Sequence, residues 1–218
     1  MPEVFANSSA LADAAADAIG ARLSSGLAAR GRAALVATGG RSPGPVYDRL
    51  ARLPLDWSHV AVTLSDERAV DVDSPHSNAR LLRERLFVGE AAKARFLPLS
   101  DYAEPALAKL MPFDAVMLGM GEDGHVASLI PGSPVLARGM DPQGKALIAE
   151  SPAGFGQPPL PRVTLTVAAL LRSRAIFLLI AGEAKRQVIL RAQGGEDLPV
   201  RAILAQTAVP VRILWTPN

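Results

Sequence analysis

Unbroken apolar runs that end in glycine constrain this chain more than any other feature. Residues 33–38 (AALVAT) and 175–181 (AIFLLIA) show no alternation, and each gives way to glycine. A strand with one wet face alternates apolar and polar residues, so such runs predict strands buried on both faces, the condition of a parallel sheet covered by helices. Between them the period changes. Leu11, Ala15, Ile19, Leu23 and Leu27 recur every four residues with Asp13 and Asp17 on another face, and "NSS" at residues 7–9 offers a cap, so an amphipathic helix opens the chain. Ser42 reads as the cap of the next helix and Pro43 as its first residue, with Val46, Tyr47, Leu50 and Leu53 as its buried stripe.

The alternation then continues. Strands are expected at 59–64, 95–99 and 113–118, helices near 77–87 and 104–110, further short strands at 146–149 and 163–166, and a helix carrying Ala184, Val188 and Ala192 after the strand at 175–181. A strand at 211–215 closes the sheet. Units of this size imply right-handed crossovers, and hence an α/β, Rossmann-like fold with a mostly parallel central sheet and helices on both faces. At 218 residues, 49% of them apolar, one domain spanning 1–218 is expected. The Pro- and Gly-rich stretch 151–161 reads as a surface loop within it.

Composition removes several classes of function. Lys and Arg total 23 against 21 Asp and Glu, and the basic residues are scattered singly, so no nucleic-acid footprint is present. The absence of cysteine excludes disulfides, thiolate metal sites and a cysteine nucleophile. No membrane segment is expected, because the most apolar stretch, 175–182, is too short to span a bilayer. The first residues lack a basic start followed by an apolar run, which points to the cytoplasm.

Three constellations carry chemistry, each at the end of an expected strand. "TGGRSP" at 38–43 offers Gly39, Gly40, Arg41 and Ser42 at a strand-to-helix junction, where backbone N–H groups, a helix N-terminus and a guanidinium suit one phosphate; an ordinary tight turn is the alternative. It is no Walker loop, lacking G-x-x-x-x-G-K-[ST]. "GMGEDGHVASLIPGS" at 119–133 contains G-x-G-x-x-G, but Glu122 and Asp123 would face a pyrophosphate at a cost on the order of 1 kcal/mol. Asp123 and His125 make better sense as a carboxylate orienting an imidazole base, against the alternative that His125 merely packs in a turn. "SDERAVDVDSPHSN" at 65–78 brings Asp66, Glu67 and Arg68 to the same rim; Asp71, Asp73 and His76 lack the spacing of a metal loop and read as a solvated turn. Arg162, at a strand start, and Lys185, one turn into a helix, would complete an anion site with the glycine turn.

Those blocks together with "PRVTLT", in that order over nearly the whole chain, resemble the 6-phosphogluconolactonase family within the glucosamine-6-phosphate isomerase/lactonase superfamily. The resemblance implies hydrolysis of 6-phospho-D-glucono-1,5-lactone to 6-phosphogluconate, in the oxidative pentose phosphate pathway, with neither metal nor organic cofactor. It assigns His125 as general base, Asp123 as its orienting carboxylate, and Arg68, with Asp66 close by, to the oxyanion or the substrate hydroxyls. Phosphate would fall to Gly39, Gly40, Arg41 and Ser42, assisted by Arg162 and Lys185. The expected partner is a small phosphosugar lactone, with no nucleic acid or membrane, and the expected state is a monomer. Two positions depart from the family's habit: Val126 stands where threonine is common, and Ile130 where phenylalanine is. Amino-sugar phosphate deaminases of the same superfamily carry F-N-E-P after the histidine, whereas "VASLIPG" here has no acid. A non-catalytic phosphosugar sensor is the remaining alternative, against which the retained Asp123 and His125 argue.

Overall fold

The computed structural model describes residues 1–40, 42–100 and 103–218. Its strands are β1 (Glu3–Val4), β2 (Ala33–Ala37), β3 (Val60–Leu64), β4 (Asp66–Arg68), β5 (Arg95–Phe96), β6 (Ala115–Leu118), β7 (Ile148–Ser151), β8 (Arg162–Leu165), β9 (Ile176–Ala181) and β10 (Val211–Thr216). The helices are α1 (Ser8–Arg30), α2 (Gly44–Leu50), α3 (Asn78–Arg85), α4 (Glu104–Leu110), α5 (Leu136–Met140), α6 (Val167–Leu170), α7 (Glu183–Gln193) and α8 (Arg201–Leu204).

Seven strands form one sheet in the order β1-β10-β9-β6-β2-β3-β5, and every pairing in it is parallel. Successive residues of a strand point to opposite faces, yet every residue of β2, β3 and β6 is buried. Both faces are therefore covered, as the apolar runs require. The opening helix is α1, capped by Asn7, whose side chain accepts from the Ala10 N–H. Its buried stripe of Leu11, Ala15, Ile19 and Leu23 packs on the sheet.

Three features differ from the sequence reading. β10 does not close the sheet, because β1 pairs beyond it, Glu3 opposite Leu214; two residues are too few for a periodic signal. Ser42 does not cap α2: Pro43 already holds helical angles (φ −69, ψ −28), its carbonyl accepts from Val46 and Tyr47, and no side chain caps the end. The short strands near 146–149 and 163–166 form, as β7 and β8, but in a second, antiparallel sheet of order β4-β8-β7, with β4 drawn from a segment read as loop.

Strand order fixes where a ligand sits. After β2 the chain steps outward to β3 and β5, then returns to place β6 on the other side of β2. The crevice outside the C-terminal ends of β2 and β6 is the topological switch point, where open α/β sheets bind ligands. No helix among the described residues is long and apolar enough to cross a membrane.

Candidate active site

A cavity of about 420 Å³ occupies that crevice, within the range of small-molecule sites. Its lining comes from the turn after β2 (Thr38, Gly39, Gly40, Ser42), the loop after β6 (Gly119 to Glu122, with His125), β4 and β8 (Asp66, Arg68, Arg162), and Lys185 of α7. Expected site residues therefore converge from separate parts of the chain. Asp123 stands behind His125 rather than in the wall, and Arg41 lies outside the described residues.

The turn after β2 is held open by what surrounds it. A β carbon on Gly39 would fall 1.9 Å from Asn78 Oδ1, so only glycine lets the turn lie against that amide. Gly40 has φ +100, a left-handed conformation that glycine adopts without steric penalty. Underneath, the Tyr47 hydroxyl donates to the Thr38 carbonyl at 2.5 Å and accepts from the Thr38 N–H at 2.9 Å. Burial, only partly offset by the Thr38 contact, raises the Tyr47 phenol well above its usual value, so it stays protonated and holds the strand end in place.

Across the crevice, the second glycine motif serves a hydrogen-bonded pair. His125 Nδ1 lies 2.6 Å from Asp123 Oδ1. The histidine bond, more than opposing desolvation, holds the Asp123 carboxyl below its usual range, so Asp123 is an ionised acceptor and Nδ1 carries the proton. Nε2 is the other ring nitrogen, turned away from that carboxylate. A β carbon on Gly121 would lie 2.3 Å from the imidazole and 2.4 Å from the carboxylate, so this glycine makes room for the pair itself. Gly124 turns the chain at φ +79, and Gly121 N–H donates to the His125 carbonyl at 3.0 Å to close the loop.

The third wall is the antiparallel pair of β4 and β8. Arg68 and Arg162 sit directly opposite one another across β4 and β8. Arg162 is buried; its Nη2 donates to the Pro158 carbonyl at 2.8 Å and its Nη1 lies 3.8 Å from Asp66 Oδ2. Burial, and then the neighbouring Arg68 charge, push its pKa below the usual guanidinium value. Arg68 Nη1 donates to the carbonyls of His76 and the Asn78 side chain at 2.8 and 3.0 Å. The Nε of both arginines is buried without a hydrogen-bond partner among the described residues. Asp66 lines the cavity, but its carboxylate accepts from Ser65 Oγ (3.1 Å) and Ser128 Oγ (2.6 Å).

Sequence reasoning read Tyr47 only as part of the buried stripe of α2 and assigned no role to Asn78 or Ser128. Asn78 ties Arg68 to the backbone of Asp66 and packs on Gly39; its one sequence signal is its place after Ser77, the cap of α3. The 151–161 stretch proves to be a cavity wall, since Gly156 and Gln157 line it. Of the two departures, Val126 is fully buried in the core and absent from the cavity lining, whereas Ile130 lines it. Asp73 pairs with Arg83 at 2.7 Å on the surface, and among the described residues no three His, Cys, Asp or Glu gather as a metal site requires.

A parallel sheet whose switch-point crevice joins a carboxylate-steadied imidazole to a facing pair of arginines, one of them buried, defines an α/β enzyme of small anionic substrates. The chain belongs to the glucosamine-6-phosphate isomerase/6-phosphogluconolactonase family, whose model matches residues 6–215. It is 43% identical to a 6-phosphogluconolactonase of Caulobacter vibrioides, covering 98% of this chain and 96% of that protein, and 41% identical to one of Rhizobium meliloti, covering 98% and 97%. The crystal structure of a 6-phosphogluconolactonase from Shewanella baltica superposes with a TM-score of 0.90 at 37% identity, covering 98% of this chain and 96% of that one. These relatives bear out the expected family, fold and hydrolase class.

Proposed function

We propose that this chain hydrolyses 6-phospho-D-glucono-1,5-lactone to 6-phospho-D-gluconate in the oxidative pentose phosphate pathway, as a single-domain, monomeric, cytoplasmic enzyme. The names of its relatives support the reaction, and the observation that carries the mechanism is the His125–Asp123 pair facing a cationic wall in one cavity. His125 Nε2 takes a proton from water, whose oxygen adds to the lactone carbonyl. Asp123 holds the opposite nitrogen protonated and steadies the imidazolium that forms. Arg68 stabilises the oxyanion of the tetrahedral intermediate. Collapse breaks the bond from C1 to the ring oxygen, which leaves as the C5 hydroxyl after taking up a proton, and the new acid ionises to a carboxylate. The turn carrying Gly39, Gly40, Arg41 and Ser42 grips the phosphate with Lys185 and Arg162, fixing the far end of the sugar while chemistry proceeds at the near end. Asp66 acts at one remove, by ordering Ser128 and Arg162.

The test is His125→Asn, which keeps a polar group able to donate to Asp123 but removes the base. Its kcat should fall by about 10²–10⁴-fold with KM little changed. Hydrolysis at the wild-type rate would remove His125 from the mechanism. A deaminase is disfavoured because the stretch from Val126 to Ile130 contains no acid to support ring opening; ammonia released from glucosamine 6-phosphate, without faster lactone hydrolysis, would reverse that preference.

A further inference from the structure

Ala127 is the one non-glycine residue among those described that holds a positive φ, at +51. A β carbon makes that conformation unfavourable, and it persists only where surrounding bonds impose it. Ala127 lines the cavity two residues beyond His125, so whatever imposes its angle also sets where the imidazole stands.

The constraint comes from the next residue. Ser128 is fully buried and anchored at two points: its N–H donates to Thr164 Oγ1 at 3.0 Å and its hydroxyl to Asp66 Oδ2 at 2.6 Å. Asp66 and Thr164 face each other across β4 and β8, so one cross-strand pair supplies both acceptors. Arg162 Nη1 approaches the same hydroxyl at 3.4 Å. At its other end the loop is fastened by Gly121 N–H to the His125 carbonyl and by Val200 N–H to the Gly124 carbonyl. The base thus rides on a short span clamped at both ends, and the far clamp belongs to the antiparallel strand pair that carries the two arginines.

We propose that Ser128 is a positioning residue for the reaction: its double anchorage to Asp66 and Thr164 imposes the left-handed turn at Ala127 and fixes His125 relative to Arg68 and Arg162. This rests on His125 being the base. Loss of the clamp misplaces the base, while Arg162 keeps its second anchor on the Pro158 carbonyl, so the effect falls on kcat more than on KM. Misplacement by about an ångström costs up to ~10²-fold.

Three variants test it together. Ser128→Ala removes the hydroxyl; Ala127→Gly opens further backbone conformations at this position, so that the loop carrying His125 is held less narrowly even with the clamp in place. For Ser128→Ala the expected result is a kcat lower by about 10- to 100-fold with KM within about twofold, and ¹⁵N signals of the His125 ring that report loss of the single Nδ1-protonated form. Ala127→Gly should lower kcat in the same direction without lowering the melting temperature, which keeps the proposal testable if Ser128→Ala folds poorly. Wild-type kcat in both variants, or a lower melting temperature with unchanged kcat and ring signals, overturns the positioning role. His125→Asn separates the two levels: if it is inactive while both loop variants are fully active, only the positioning role fails; if it is active, the base assignment fails with it.

Discussion

The two sheets of this molecule are built on opposite terms. In the seven-stranded sheet, β2, β3 and β6 are buried end to end, with Thr63 the sole polar side chain within them, and the sheet is a scaffold held by apolar burial. The three-stranded sheet is made of strands of three or four residues, and it buries Asp66, Arg162 and Thr164. Buried charges of this kind cost desolvation that well-packed apolar residues would not. Under the proposed function, their place at a cavity wall marks where stability is given up for recognition: the large sheet positions the crevice, and the small one furnishes its charge.

That contrast can be broken by exchange. The largest effect is expected at Arg162→Met, which strands the Asp66 carboxylate in the interior; stability should fall by about 3–5 kcal/mol and KM for the lactone should rise. Adding Asp66→Asn should recover most of the stability and none of the binding, and a double variant with wild-type KM would show that the charges serve folding alone. Leu178→Ala, in the fully buried centre of β9, should cost about 2–5 kcal/mol in denaturant unfolding yet leave KM of the folded enzyme unchanged. Tyr47→Phe sits where scaffold meets site: it strips a donor and an acceptor from Thr38, at about 1–3 kcal/mol, and should raise KM by loosening the glycine turn.

The smallest effect is expected at the sheet edge, where Arg212 bonds the Glu3 carboxylate at 2.7 Å and holds its pKa below the usual range. Because the folded pKa is the lower one, the contribution is present above the unfolded value of about 4.3 and is lost as pH falls through the folded value. Glu3→Gln should therefore cost no more than about 1 kcal/mol at neutral pH and nothing in acid, with activity unaffected. The same sign governs Asp123, whose carboxyl is lowered by His125: its bond to the imidazole persists until the pH drops below that depressed value.

Legibility followed the same division. Runs such as residues 33–38 and 175–181 identified buried parallel strands because burial on both faces leaves an unmistakable pattern, and β2 and β9 lie there. β4 was invisible, since Asp-Glu-Arg has no apolar period and forms a strand only because β8 lies alongside. His125 and Asp123 could be paired from spacing alone, being two residues apart around a glycine. Asn78 and Ser128 could not, because their partners Arg68, Asp66 and Thr164 are brought to them by tertiary folding. Gly121 matched a nucleotide fingerprint by spacing, but what requires glycine there is the imidazole lying over it.

The central claim is that one cavity grips the phosphate of a small sugar lactone while His125 acts at the carbonyl. Its most direct test is kcat/KM of the wild-type enzyme for 6-phospho-D-glucono-1,5-lactone against the same lactone without phosphate. Two charge-assisted hydrogen bonds at about 1.5 kcal/mol each predict a preference of at least ~100-fold for the phosphorylated substrate. Equal values for the two lactones would contradict the claim.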